Sequence, residues 1–204
     1  MVIELYGSPG AGKTYIKEQL IEEEGCQGSP NKENPLIRIA KRLVIYLPSS
    51  RKIRKKIIKK IENVNEPAYN NVTLESCVDN IVMVLFGYRH TRRKLFMDEG
   101  VVHRLISMSV NFRIGFDCLS EILDSLSPWL EDVTVFYLFA EPEECYQSIK
   151  KRNRHICNID ELEDGELRNY LRDYKLYCDY VYKKMGYQRI SRNNIEKVRK
   201  RMND

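Results

Sequence analysis

The chain opens on a short, mostly apolar run, Val2-Ile3-Glu4-Leu5-Tyr6, whose length and composition predict a buried strand. From Tyr15 to Glu24 the apolar positions Ile16, Leu20 and Ile21 return at helical spacing. Gly25 to Asn34 is polar, carries Gly28 and Pro30, and reads as a loop. Residues 36 to 47 allow two readings: Leu36, Ile39, Ala40, Leu43 and Leu47 suit a helix, whereas Leu43-Val44-Ile45-Tyr46-Leu47 suits a strand. Ile53, Ile57, Ile58 and Ile61 mark a helix over 51–60 with Ser50 as its cap, and an apolar helix over 72–86 stops at Gly87. A second buried strand follows at Lys94-Leu95-Phe96-Met97-Asp98, then a long helix from about Val102 to Leu126, ended by Ser127-Pro128. Val133 to Phe139 is the clearest strand, and Pro142 starts a helix, where proline is tolerated in the first turn. A helix over 161–184, a strand over 187–191 and a last helix capped by Asn194 complete the series. Strands alternating with helices predict an α/β fold, a three-layer sandwich with a mostly parallel sheet between helices. The stretch from about 30 to 90 reads as a helical insertion within a single domain, 1–204.

Composition narrows the class. Of the 204 residues 43% are hydrophobic, enough for a core, and no apolar run nears the roughly 20 residues of a membrane span. The first residues lead straight from a strand into a glycine-rich loop and lack the basic-then-apolar layout of a signal peptide, so a cytoplasmic protein is expected. Six scattered cysteines without a C-x-x-C pair predict reduced, mostly buried thiols, neither a zinc site nor a disulfide frame. The net charge of +5 is unevenly placed, because residues 51–60 alone hold seven basic side chains. That helix is either a solvated face over an apolar stripe or a docking surface for an anionic partner: a phosphorylated acceptor, nucleic acid or an anionic membrane.

The most specific chemistry lies between the first strand and the first helix. Gly7-Ser8-Pro9-Gly10-Ala11-Gly12-Lys13-Thr14 is a complete G-x-x-x-x-G-K-[ST] phosphate-binding loop in its strand–loop–helix context. Glycines let backbone N–H groups converge on phosphate oxygens, and the helix N-terminus favours the anion. Lys13 is expected to reach the β- and γ-phosphates of a nucleoside triphosphate, and the Thr14 hydroxyl to ligate Mg2+. Asp98-Glu99 follows the second buried strand, where an acid can hold Mg2+ or take a proton from an acceptor hydroxyl; the sequence leaves open which acid does which. Arg152 and Arg154 sit in a basic segment that reads either as a clamp on the transferring phosphoryl group or as a solvated helix end. A guanine-reading N-K-x-D motif is lacking, since Asn31-Lys32-Glu33-Asn34 ends in asparagine.

The order of these motifs, with Asp98-Glu99-Gly100, Ala140-Glu141-Pro142-Glu143-Glu144-Cys145, Arg152-x-Arg154 and Asn169-Tyr170-Leu171-Arg172-Asp173-Tyr174, resembles the thymidylate kinase and deoxynucleoside kinase group of small P-loop kinases. The resemblance spans residues 1–24 and 94–204. It implies a kinase that uses ATP and Mg2+ on a small acceptor, a nucleoside, nucleotide or related metabolite. It implies that Gly7 to Thr14 hold the phosphates, that Asp98 and Glu99 stand at the acceptor, that Arg152 and Arg154 belong to a lid over about 150–165, and that Arg192 and Asn193 lie near the adenine. Two departures stand out: Glu99 replaces the arginine that thymidylate kinases place after the aspartate, with Arg104 as a candidate substitute, and Ser148 stands where the lid helix often has an arginine. The alternative function is a P-loop ATPase or nucleotide-driven switch without a diffusible acceptor.

Overall fold

Strand β1 (Val2–Tyr6) is buried at every position, Glu4 included, because it occupies the middle of the sheet. The computed structural model of the chain describes residues 1–24, 27–28, 43–61, 65–91, 94–152 and 158–203. In chain order after β1 come α1 (Lys13–Glu24), β2 (Gln27–Gly28), a 3-10 turn (Val44–Tyr46), α2 (Pro48–Lys60), α3 (Leu74–His90), β3 (Leu95–Met97), α4 (Val101–Asn111) and α5 (Phe116–Leu130). They are followed by β4 (Val133–Phe139), α6 (Pro142–Arg152), a 3-10 turn (Asn158–Glu161), α7 (Asp164–Met185), β5 (Gln188–Ser191) and α8 (Glu196–Asn203). Among the described residues the sheet has five strands in the order β2-β3-β1-β4-β5, every pair parallel, with Val2 beside Leu95 on one side and Val133 on the other. The chain moves from the central strand to one edge and returns to build the other. The reversal falls at the C-terminal end of β1, where open parallel sheets bind ligands.

The α/β architecture is the one expected, and several boundaries differ for local reasons. Helix α3 does not stop at Gly87 but runs on to His90, starting from Thr73, whose hydroxyl accepts from the Ser76 N–H at 3.2 Å. A glycine inside a helix costs about 1 kcal/mol, and burial of Leu85 and Tyr88 on either side offsets it. The single long helix expected over 102–126 is two helices. The first ends at Asn111, whose side-chain amide serves the 65–71 loop, accepting from Tyr69 and Asn70 N–H and donating to Asn70 O, and two residues on Arg113 takes a left-handed φ of 50°. Ser127-Pro128 does not end α5. The Ser127 hydroxyl donates to Asp124 O at 3.1 Å, the carbonyl that the absent Pro128 N–H leaves unpaired, so the helix continues to Leu130. Helix α2 begins at Pro48 rather than after Ser50, which lies buried within its first turn. Residues 44–46 form the 3-10 turn, neither the helix nor the strand considered for 36–47; residues 36–42 lie outside the described set.

The helices of the insertion pack back onto the core. Helix α2 lies on α3 and α5, α3 on α4, and α4 on both β1 and α7. Within the 22-residue α7, Leu167, Tyr170, Leu171, Tyr174, Cys178 and Val181 make one buried stripe. A buried polar knot joins these layers. The Glu4 carboxylate, 0% exposed, accepts from the His103 N–H at 2.9 Å and from the Tyr88 hydroxyl at 2.9 Å. Val101 N–H in turn donates to the Tyr88 hydroxyl at 3.2 Å. Helix α4 begins at Gly100 without a side-chain cap of its own, so an acid from the central strand meets its orphan N–H groups and its dipole. A Cβ at Gly100 would stand 2.1 Å from the Tyr88 hydroxyl and 2.2 Å from the Glu4 carboxyl carbon, so any larger residue forces the knot to shift.

Two outcomes follow from this knot. Gly100→Ala is expected to cost about 1–3 kcal/mol of stability through overpacking, read as a lower urea midpoint at unchanged slope. Burial pushes the Glu4 carboxyl up to about 7, against the lowering effect of its hydrogen bonds to His103, Tyr88, Val102 and Val101. The folded chain thus holds a proton that the unfolded chain releases above about 4.5, so this stability is full below that pH and lost as pH rises through about 7. Glu4→Gln removes the titration. Its stability relative to the parent should improve by up to about 3 kcal/mol between pH 4 and pH 8 in urea unfolding; a constant difference across that range would contradict the protonation.

Candidate functional site

The loop between β1 and α1 closes on itself. Ala11 N–H donates to Ser8 O at 3.1 Å, and Gly7, Gly10 and Gly12 take φ values of 155°, 82° and 99°. At Gly10 the left-handed backbone and the neighbouring helix both demand glycine, since a Cβ would meet the Cys145 carbonyl oxygen of α6 at 2.5 Å. Lys13 turns back across the loop and donates to Gly7 O at 2.8 Å and Ser8 O at 3.0 Å. Burial lowers its pKa below the usual lysine range, with the nearby thiols of Cys178 and Cys145 and the carboxylates of Asp98 and Glu99 acting the other way. Arg192, at the end of β5, braces the loop from its far side. Its guanidinium donates to Gly10 O at 2.7 Å and to Ala11 O at 3.1 Å, and reaches Ser148 Oγ at 3.5 Å.

Two successive acids leave the end of β3 in different directions. Asp98, 8% exposed, turns toward α1: the Thr14 hydroxyl donates to Oδ2 at 2.9 Å and the Lys17 ammonium to Oδ1 at 3.0 Å. Glu99 turns into the open. Its side chain is 64% exposed and meets Arg104 Nη2 at 3.4 Å, while Arg104 Nε donates to the Glu99 carbonyl at 3.0 Å. Arg104 lies in the first turn of α4, so it reaches back to the residue that replaces the expected arginine. A hydroxyl and a carboxylate side by side are hard oxygen donors, and Mg2+ commonly takes one or two carboxylates and completes its shell with phosphate and water. Thr14 and Asp98 therefore fit that ion. Among the described residues no group of three or more His, Cys, Asp or Glu gathers as an all-protein metal cage.

Around these groups opens a cleft of about 970 Å³. The glycine loop and Arg192, Asn193 and Glu196 contribute to it. Past Asp98 and Glu99 it is walled by Cys77 and Asn80 of α3, Arg104 and Ser107 of α4, and Tyr170 of α7. The helical insertion thus supplies part of the wall through α3. Arg152 lines the cleft and pairs with Asp160 at 3.0 Å; Arg154 lies outside the described residues. Of the expected phosphate-loop residues, Pro9, Gly10, Gly12, Lys13 and Thr14 face the cleft, while buried Ser8 holds the curl through its carbonyl. His103 is kept neutral, its pKa driven well below the usual histidine range by burial, then by the charges of Lys13 and Arg104. Cys77, Cys145 and Cys178 are free thiols, and Cys118 donates to Lys60 O at 3.1 Å. Burial raises the Cys77 thiol and pushes Cys145 up to about 11, so neither is primed as a nucleophile. Basic helix α2 buries Ile53 and Ile57, pairs Arg54 with Asp79 and Lys60 with Glu121, and contributes no described residue to the cleft wall.

Sequence reasoning missed Lys17, Asn80 and Tyr170. Lys17 carried a readable signal: it lies three residues after Thr14 and four after Lys13, and both spacings put it on the face of α1 that bears the functional side chains. Asn80 and Tyr170 had none, because their place in the wall depends on how α3 and α7 fold back over the sheet.

No protein-family model matches the sequence, and no curated protein matches it. Likeness appears in solved structures. The deoxyadenosine kinase from M. mycoides with bound dATP is 16% identical, with a TM-score of 0.53 over 100% of both chains. The same enzyme with bound dCTP is 15% identical, TM-score 0.53, over 100% of this chain and 99% of the other. With dCMP and a flexible dCDP as products it is 16% identical, TM-score 0.54, over 100% and 98%. At that identity the likeness is one of fold: the described residues form a parallel sheet flanked by helices, the α/β architecture of these deoxyadenosine kinase structures.

Proposed function

We propose that the protein is an ATP- and Mg2+-dependent kinase that passes the γ-phosphoryl group of ATP to a small acceptor, a nucleoside, nucleotide or related metabolite. The observation that carries this reading is the 2.9 Å junction of Thr14 and Asp98 inside a cleft that continues past Glu99 to the insertion helices. Ligand pockets run to about 1,000 Å³, and a cleft of about 970 Å³ has room for a nucleotide and an acceptor together. Lys13 and the loop N–H groups hold the β- and γ-phosphates. Mg2+, when held by Thr14 and Asp98, neutralises charge on the phosphate oxygens. Asp98 has both oxygens engaged, so the acceptor proton goes to Glu99, whose carboxylate faces the cleft and is steered by Arg104. The acceptor oxygen forms the new P–O bond, the bond from the γ-phosphorus to the bridging oxygen breaks, and ADP leaves. Arg152 and Arg154, in a lid over about 150–165, close on the transferring group, and Arg192 holds the loop in shape. The enzyme acts in the cytoplasm as one domain.

The test is transfer of label from γ-labelled ATP to a panel of nucleosides, nucleoside monophosphates and sugars. Lys13→Ala is expected to lose transfer by at least about 100-fold with its thermal midpoint little changed. Full activity in that variant would sink the site. Label released as phosphate whatever the acceptor would move the assignment to an ATPase or switch. Glu99→Gln should cut transfer by about 100-fold or more while ATP affinity stays within about threefold, as loss of a general base requires. An equal loss of nucleotide binding would place Glu99 on the metal side instead.

A further inference from the structure

Lys17 is 6% exposed and its ammonium lies 3.0 Å from Asp98 Oδ1, in an ion pair whose side chains are 8% and 11% accessible. It comes from the same helix face as Thr14, whose hydroxyl takes the other oxygen of the same carboxylate. A cation therefore already sits on the acid assigned to Mg2+. We propose that Lys17 is a built-in counter-cation that keeps divalent metal from settling on Thr14 and Asp98 until a nucleotide brings it. This rests on the metal position given above.

The physics is one of charge balance. An aspartate with an ammonium at 3.0 Å presents almost no net charge to an incoming ion. A divalent cation on the Thr14 side of the carboxylate would stand within a few ångströms of a like charge in a nearly dry setting, where repulsion is strong. Phosphate oxygens of a nucleotide in the glycine loop bring several negative charges to the same place and reverse that balance. The metal then binds with the nucleotide and scarcely without it, which is a coupling between two ligands with Lys17 as its source. Lys17 does not face the cleft, so its role is to position and neutralise Asp98 and not to touch substrate.

The experiment measures Mn2+ binding without nucleotide, by loss of the free-ion electron paramagnetic signal, in the wild type and three variants. Lys17→Gln keeps an N–H for Asp98 and removes the charge; its Mn2+ affinity should rise at least about tenfold over the wild type. Lys17→Arg keeps the charge and should show no gain. Lys17→Gln combined with Asp98→Asn should lose the gain, tying it to that carboxylate. Thermal unfolding in EDTA and in MnCl2 accompanies each titration. A Lys17→Gln chain that folds only with Mn2+ supports the proposal, since the metal has replaced the ammonium. Equal Mn2+ affinity in wild type and Lys17→Gln, a gain in Lys17→Arg, or a Lys17→Gln chain unfolded with and without Mn2+ would each overturn it. Calorimetric titration of the wild type with Mg2+ and ATP runs alongside. Failure to bind there would remove the nucleotide-site reading while the Mn2+ comparison still decides the role of Lys17.

Discussion

One carboxylate ties the molecule together. Asp98 ends the short strand β3, and its two oxygens are taken by a hydroxyl and an ammonium that α1 presents side by side, Thr14 at 2.9 Å and Lys17 at 3.0 Å. A nearly buried ion pair of this kind contributes little net stability, because desolvation offsets the attraction. What it supplies is geometry. It sets the distance between the start of α1 and the end of the neighbouring strand, and in that gap two hard oxygen donors, the Thr14 hydroxyl and the Asp98 carboxylate, lie side by side. The same contact sends the next residue, Glu99, the other way, so the two acids part into one facing the loop and one facing the open cleft.

A second polar contact does for α4 what Asp98 does for α1. Glu4 is a fully buried acid in the central strand, which would be costly were it not for the N–H groups at the start of α4 and the Tyr88 hydroxyl from α3. The contact orients the helix that carries Arg104 and Ser107, and it anchors the insertion helix that carries Cys77 and Asn80. Gly100 is the steric condition for both, which is why glycine follows the acid pair. The wall of the cleft beyond Glu99 thus rests on a hydrogen-bonded knot beneath it.

Fold and chemistry carry different weights here. A parallel sheet shared with the M. mycoides deoxyadenosine kinase over the whole chain at 16% identity says how the elements are arranged. It does not carry over which side chains face the ligand. Here Arg104 reaches back to Glu99 from the first turn of α4, and Lys17 pairs with Asp98. The functional reading stands on this chain's own contacts, first of all the Thr14–Asp98 junction.

How much was legible in the sequence depends on the range of the interaction. The glycine loop, the strand before it and the acid pair after β3 were readable, because glycine φ preferences, strand composition and strand-end position are local properties. The α/β class followed from alternation alone. Element ends were misread where a side chain took a partner that periodicity does not show: Tyr88 reaches Glu4 and α3 runs past Gly87, the Asn111 side chain is taken by the 65–71 loop where α4 ends, and, within one turn, the Ser127 hydroxyl satisfies the carbonyl that Pro128 leaves open. Lys17 and Glu4 looked like ordinary charges on a helix and a strand. Only the tertiary structure buries them against Asp98 and the start of α4, since an ion pair 81 residues apart and an N–H bond 99 residues apart leave no periodic trace in the chain. By itself the sequence determined an α/β fold with a glycine-rich loop between its first strand and first helix; the packing of α1, α3 and α4 decided which charges stand at that loop and how they balance.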